Sequence, residues 1–274
     1  MKRTLLGFTA VTLFFAACKK DDATPTPETY YLSKLIEVGE DGNDTTLVSY
    51  NADDTFKETY SAYMNNGQLE YFAEGPVYEG GKIVAVQQRN STYPNPHRTK
   101  GFVYTGNQLT RMEYYWDNDQ DGQYTVSAMY DSLVYSAGKI TEIWTKNADQ
   151  PENVSKYLLA WEGDNVKTCS LYMKHPGVAE FELYDVSKYT YDNKPALQQL
   201  FGGFQWLSDM NSFELLSANN AVKEEVFRDG VLRSTYTNAY TYDGNLLKEM
   251  NSQDVYVDPP STETYKVKFE YTTR

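Results

Sequence analysis

From Tyr30 onward, apolar and polar residues alternate over short runs. Lys139 to Trp144, Phe181 to Tyr184 and Tyr265 to Tyr271 are examples. Alternation with a period of two, bounded by Gly, Asn and Asp, predicts strands joined by hairpin turns. The runs are organised by a recurring frame: an aromatic, a Gly-bearing polar turn, an apolar residue five places on and another eight places on. The cleanest copy is Tyr242-Asp243-Gly244-Asn245-Leu246-Leu247-Lys248-Glu249-Met250. The frame also holds for Tyr78/Ile83/Val86, Tyr104/Leu109/Met112, Tyr135/Ile140/Ile143 and Trp161/Val166/Cys169. Phe227/Leu232 keeps its first half, with Thr235 in the last slot. The aromatics at 78, 104, 135, 161 and 191 lie 26, 31, 26 and 30 residues apart, which fits two strands per unit. The expected fold is therefore all-β: a large antiparallel up-and-down meander of repeated hairpins, curled or barrel-like. Short turns belong at one end. Longer loops (90–98, 117–122, 147–153 and 253–261) belong at the other.

The two apolar slots are three residues apart. In a regular strand they point to opposite faces. Either both faces of the sheet are covered, which is the expected arrangement, or a bulge between the slots restores one face. One region departs from the strand pattern. Leu197, Leu200, Phe201 and Phe204 share one helical face, Pro195 suits a first helical position, and Gly202-Gly203 interrupts. A short helical insertion near 195–217 is expected to cover an opening of the sheet.

The first residues read as an address. Lys2 and Arg3 precede an apolar stretch from Leu5 to Phe15, too short to span a bilayer. Phe15-Ala16-Ala17-Cys18 resembles the bacterial lipobox, which implies a signal peptide over 1–17 and a lipid on Cys18. Lys19-Lys20-Asp21-Asp22 is similar to the export signal of surface-exposed lipoproteins in Bacteroidetes-type bacteria. That similarity implies an outer-membrane lipoprotein facing the cell exterior, with the periplasmic face as the alternative. Residues 18–29, with Pro25 and Pro27, read as an extended tether, and 30–274 as a single β domain.

Composition adjusts this picture in three places. The 25 tyrosines favour pleated, half-buried surfaces. A net charge of -13 repels phosphate backbones and excludes nucleic acid as a partner, while leaving cations admissible. There are only two cysteines and two histidines. With Cys18 lipidated no disulfide forms within the chain, and the four residues have no zinc spacing. Cys169 stands in the slot of Val86, Met112, Ile143 and Met250, so it reads as a small core hydrophobe.

The sharpest local chemistry is Asp117-Asn118-Asp119-Gln120-Asp121-Gly122. Asp117, Asp119 and Asp121 place oxygen ligands at alternate positions before a turn glycine, the pattern of a calcium loop. Position twelve is Ala128, so the EF-hand continuation is missing. The competing reading is a polar hairpin loop. No nucleophile elbow, phosphate-binding glycine loop or His-Glu-x-x-His is present. Tyr93, Tyr114, Tyr115, Trp116 and Tyr256 are candidates for stacking on a sugar or a partner, or for cross-strand packing.

The Tyr242-Asp243-Gly244-Asn245 copy, with Leu247 and Met250, resembles the YD repeat of the RHS type. Tyr191-Asp192-Asn193-Lys194-Pro195 followed by Ser217-Ala218-Asn219-Asn220 is similar to stretches in YD-repeat-like surface lipoproteins of unknown function from Bacteroidetes. The resemblance runs over most of 30–274. It implies an antiparallel sheet and no known activity. The expected function is a membrane-anchored, non-catalytic binding module with a glycan or protein ligand at the long-loop end. A structural or assembly subunit of an envelope complex is the first alternative, and a polysaccharide-acting enzyme with a carboxylate pair the second.

Overall fold

The computed structural model describes residues 29–39, 42–117, 122–174, 177–178, 180–209 and 212–274. The expected signal peptide, Cys18 and most of the expected tether lie outside these. The strands are β1 (Tyr30–Gly39), β2 (Gly42–Tyr50), β3 (Phe56–Asn65), β4 (Gln68–Glu79), β5 (Lys82–Asn90) and β6 (His97–Thr105). There follow β7 (Gln108–Trp116), β8 (Thr125–Ser136), β9 (Lys139–Asn147), β10 (Val154–Glu162), β11 (Asn165–Met173) and β12 (Glu182–Pro195). After the insertion come β13 (Asn219–Arg228), β14 (Val231–Asp243), β15 (Leu246–Val257) and β16 (Pro260–Thr273). Each strand pairs with its chain neighbours, and β16 pairs back to β1, closing a barrel of 16 antiparallel strands. The meander read from the sequence is thus a complete cylinder.

The spacing of the repeat is resolved by a bulge, not by a double-faced sheet. Tyr78 pairs with Ile83 and Val77 with Ala85, so Val84 is left over. The same single-residue excess falls at Thr110, Thr141, Lys167 and Lys248. One extra residue between the slots turns both toward the same side. Ile83, Val86, Leu109, Met112, Ile140, Ile143, Val166 and Cys169 are accordingly all buried in one core facing the barrel interior. The expected double-faced sheet fails for a chemical reason: the outer face carries charge along the strand interiors. Lys34–Glu270, Lys223–Glu225 and Lys266–Glu249 each close at 2.7 Å, and Arg89–Glu58 at 3.1 Å, on the outside of the wall.

A bulge disturbs the ladder and leaves a carbonyl to be satisfied. The repeat aromatic of the next hairpin supplies the donor. Tyr104 Oη donates to the Ile83 carbonyl at 2.7 Å, Trp161 Nε1 to Ile140 at 2.7 Å, and Tyr191 Oη to Val166 at 2.7 Å. Tyr78 Oη reaches Phe56 at 3.0 Å in the same way. Lysines of the turns reinforce the tie: Lys82 and Lys139 donate to the carbonyls of Gly106 and Gly163 in the following turn. The hairpins that carry Tyr78, Tyr104 and Trp161, and strand β12 with Tyr191, are thereby latched to the hairpin before them. Tyr104→Phe, which deletes one latch and nothing else, should cost about 1 kcal/mol. Thermal unfolding of the variant, lowered by roughly 2–4 °C, checks this.

The allocation of turns to ends holds only in part. The turns at 80–81, 106–107, 137–138, 163–164 and 244–245 share one end, and the ends of β5, β9 and β11, from which longer connections leave, share the other. The tight turns at 66–67, 229–230 and 258–259 also lie at the long-loop end. Residues 253–261 are not a loop, because the β15–β16 ladder runs out to Val257 opposite Pro260. Phe227 and Leu232 flank a turn at that same end. The Phe227 ring faces outward, under the Lys188 ammonium at 4.4 Å.

The insertion between β12 and β13 enters the barrel from the short-turn end. It comprises a 3-10 turn (Leu197–Phe201), a helix α1 (Phe204–Ser208) and a second 3-10 turn (Phe213–Leu216). Pro195 ends β12 rather than opening a helix, since it pairs with Asn219 in the ladder. A barrel this wide cannot be filled by wall side chains alone. Phe201, Phe204, Trp206, Leu207 and Phe213 fill it, all buried. Phe56 meets the rings of Phe201 and Phe204 at 5.1 and 4.9 Å, and Tyr157 meets Phe213 at 4.7 Å. The insertion thus closes the opening, as its apolar face required.

The two ends of the plug are fastened by the Ser-x-Asn-Asn stretch. Asn220 Oδ1 accepts from the Leu197 N–H at 2.9 Å, and its Nδ2 donates to the Pro195 carbonyl and to Tyr242 Oη, both at 3.0 Å. Ser217 Oγ accepts from the Val166 N–H at 3.0 Å and meets Tyr191 Oη at 2.9 Å. Asn165 Oδ1 accepts from the N–H groups of Ala218 and Asn219.

Candidate functional site

Inward-facing positions change character along each strand. On β7 they run Leu109, Met112, then Tyr114. On β9 they run Ile140, Ile143, then Thr145, and on β15 Leu247, Met250, then Ser252, Asp254 and Tyr256. The half of the barrel nearer the short turns is a packed core around the plug. The other half is a lumen lined by hydroxyls, carboxylates and aromatic rings, with the plug as its floor.

The floor gathers ionisable groups from distant parts of the chain. Lys100, inward on β6, donates to the carbonyls of Leu207, at 3.3 Å, and Ser208 at the end of α1. It pins the plug to the wall. Burial lowers its pKa, against the opposing charges of Glu74, Asp209 and Asp131. Asp131 is buried and accepts a short hydrogen bond from Tyr114 Oη. Burial raises this carboxyl, while the hydroxyls of Tyr114 and Thr145 and the charge of Lys100 hold it down. Glu214, on the plug, is pushed up to about 7 by burial and by the charges of Glu224 and Asp209, its own backbone N–H opposing. Glu224, on β13, is raised by burial while Ser187 and Tyr189 stabilise its charged form.

The residues singled out in the sequence are dispersed. Asp117 Oδ2 accepts the Gly122 N–H at 2.9 Å, which closes the loop as a turn residue does. Asp119 and Asp121 lie outside the described residues, among which no cluster of metal-ligating side chains occurs. Cys169 is a free, buried thiol in the core slot, its pKa raised by burial. Tyr93 packs edge-on against Tyr124 at 6.0 Å, and Tyr124 stacks on His97 at 3.8 Å. Tyr115 faces outward beneath Arg98, and Tyr256 meets Tyr236 edge-on at 6.0 Å. Trp116 alone of these candidates is strongly exposed, at 48%. The sequence reading missed Lys100, Asp131, Glu214 and Glu224. Lys100, Asp131 and Glu224 sit in ordinary alternating runs and Glu214 in a short turn of the plug, and only closure of the barrel around the plug brings them to one floor.

No protein family and no curated protein matches the chain. Among solved structures it is similar to a porin-like protein from Bacteroides uniformis, with a TM-score of 0.56 and 12% identity, covering 90% of this chain and 98% of that one. A porin-like protein from Bacteroides vulgatus aligns with a TM-score of 0.39 and 10% identity, over 89% of this chain and 99% of that one. At this identity the first likeness establishes the shared fold alone, a closed antiparallel β-barrel.

Proposed function

We propose that the chain is a lipid-anchored barrel of the outer membrane that stands on the bilayer and binds a glycan or protein ligand in its lumen, without catalysis. One observation carries the reading. Tyr30 pairs with Thr273 at the short-turn end, the end that the plug closes. A lipid on Cys18 therefore ties the closed end to the membrane and turns the open, polar lumen away from it. The porin-like neighbour is compatible with an outer-membrane address. The wall itself is unsuited to lipid. A bilayer-spanning barrel presents an apolar band, and each Lys or Arg on that face costs about 2–4 kcal/mol at the midplane. Here Lys34, Arg89, Lys223 and Lys266 lie on it, paired to carboxylates.

The expected result is that residues 29–274 purify without detergent as a monodisperse species. A requirement for detergent would place the barrel in the bilayer and refute the reading. On intact cells, added protease should cut the tether and release the barrel; a chain that stays uncut is not surface-exposed. A glycan array with turnover measured in parallel tests the binding role, with Trp116→Ala as the variant that weakens it.

A further inference from the structure

Between the plug and the wall formed by β14, β15, β16 and β1 lies a cavity of about 320 Å³. Its deep walls are apolar: Leu35, Leu215, Leu247, Met250, Val267 and Phe269. Most of the side-chain donors that line it are already engaged. Gln198 Nε2 is spent on the Ser217 carbonyl at 2.8 Å, and Asn238 Nδ2 and Tyr240 Oη on the Ala221 carbonyl at 2.9 and 2.8 Å. Asn220 Nδ2 is spent on Pro195 and Tyr242, and Ser212 Oγ on Asp209 Oδ2 at 2.9 Å. Acceptor oxygens line the same space. Gln205 Oε1 is buried and meets no donor, and the carboxylates of Glu214 and Asp209 line the same cavity. No lysine, arginine or histidine is among the described lining residues.

We infer that this cavity is a binding site for a small organic amine with a hydrocarbon body, its ammonium held by Glu214 and Gln205 Oε1 and its chain against Leu247, Met250 and Phe269. An ammonium supplies three donors and no acceptor, the complement of what the cavity offers. A carboxylate ligand would meet Glu214 and Asp209 with like charge. A bare metal ion finds no cluster of three ligands among the described residues and would leave the apolar depth empty. The volume lies at the lower end of the roughly 300–1,000 Å³ range of small-molecule sites.

The probes are n-octylamine, octanoate and 1-octanol, matched in chain length. Binding to residues 29–274, which contain every strand of the closed barrel, is read by calorimetry and thermal shift at pH 8. Octylamine is expected to bind and to raise the melting temperature, and octanoate to do neither. Glu214→Gln should weaken octylamine by about tenfold or more, the loss of one charge-assisted contact. Leu247→Trp, which fills the apolar depth, should abolish binding. Equal binding of octylamine and octanol, undiminished binding by Glu214→Gln, or no octylamine binding at millimolar concentration overturns the proposal. The amine and the glycan or protein ligand are separate probes, so either reading can fail alone.

Discussion

Asn220→Ala is expected to destabilise the barrel by about 3 kcal/mol, the largest loss foreseen for a single polar side chain here. The side chain is buried, at 5% exposure, and three contacts disappear with it: those to Leu197 N–H, the Pro195 carbonyl and Tyr242 Oη. The first two tie the start of the plug to the start of β13. The third ties both to the β14–β15 hairpin. Removing the amide leaves a buried N–H and a buried carbonyl without partners, which costs more than the bonds gained on folding. For a domain of this size the melting temperature should fall by roughly 6–12 °C. Asn220→Asp keeps the acceptor for Leu197 but loses both donors, so it should be no milder than alanine. Urea unfolding of both variants decides the matter. A loss below about 1 kcal/mol in each would show that the plug is held by its aromatic packing alone.

Glu214→Gln is expected to act in the opposite direction, and only above neutral pH. Burial and the charges of Glu224 and Asp209 raise the Glu214 carboxyl to about 7 from its ordinary 4.5. The folded protein therefore holds this proton more tightly than the unfolded chain. Between those two values the folded state binds the extra proton, so stability falls as pH rises through the window. The penalty is absent below about pH 4.5 and complete above about pH 7. Glutamine keeps the shape and removes the charge. It should leave stability at pH 4 nearly unchanged and raise it at pH 8 by about 1–3 kcal/mol. Asp131 and Glu224 are raised by burial as well, so the variant keeps a weaker decline with pH. A variant that is equally or more destabilised at pH 8 than at pH 4 would contradict the assignment of Glu214 as an uncompensated buried acid.

The repeat made much of the scaffold legible. Tyr78, Tyr104, Tyr135 and Trp161 each mark a turn at one end of the barrel, and the frame places Cys169 in the core. The run of Leu197, Phe201 and Phe204 announces an element that must bury a face. What the frame lacks is direction. Phe227-Arg-Asp-Gly reads like its relatives, yet only one strand separates it from the plug, so its turn falls at the opposite end. The prolines and polar residues of 253–261 look like a loop in isolation, and neighbouring strands hold them as a ladder. The bulge was within reach of the sequence, since two apolar slots three apart demand either a bulge or two dry faces. The lysines and glutamates between the slots were the signal that one face is wet. The lumen floor was beyond reach. Asp131, Glu214 and Glu224 come from three elements, and no local pattern separates an inward carboxylate from an outward one.

The latches between hairpins bear on how such a barrel can vary. Tyr78, Tyr104, Trp161 and Tyr191 each bond to the hairpin before them, so much of the wall is a chain of like units tied to their neighbours. Duplicating or deleting a whole hairpin would preserve every latch but the one at the join. The wall by itself thus sets no number of staves. The plug does, because the bore widens with each added pair of strands. Phe201, Phe204, Trp206, Leu207 and Phe213 fit one circumference, and Lys100 reaches α1 only across that bore. The insertion is the gauge against which sixteen strands are counted.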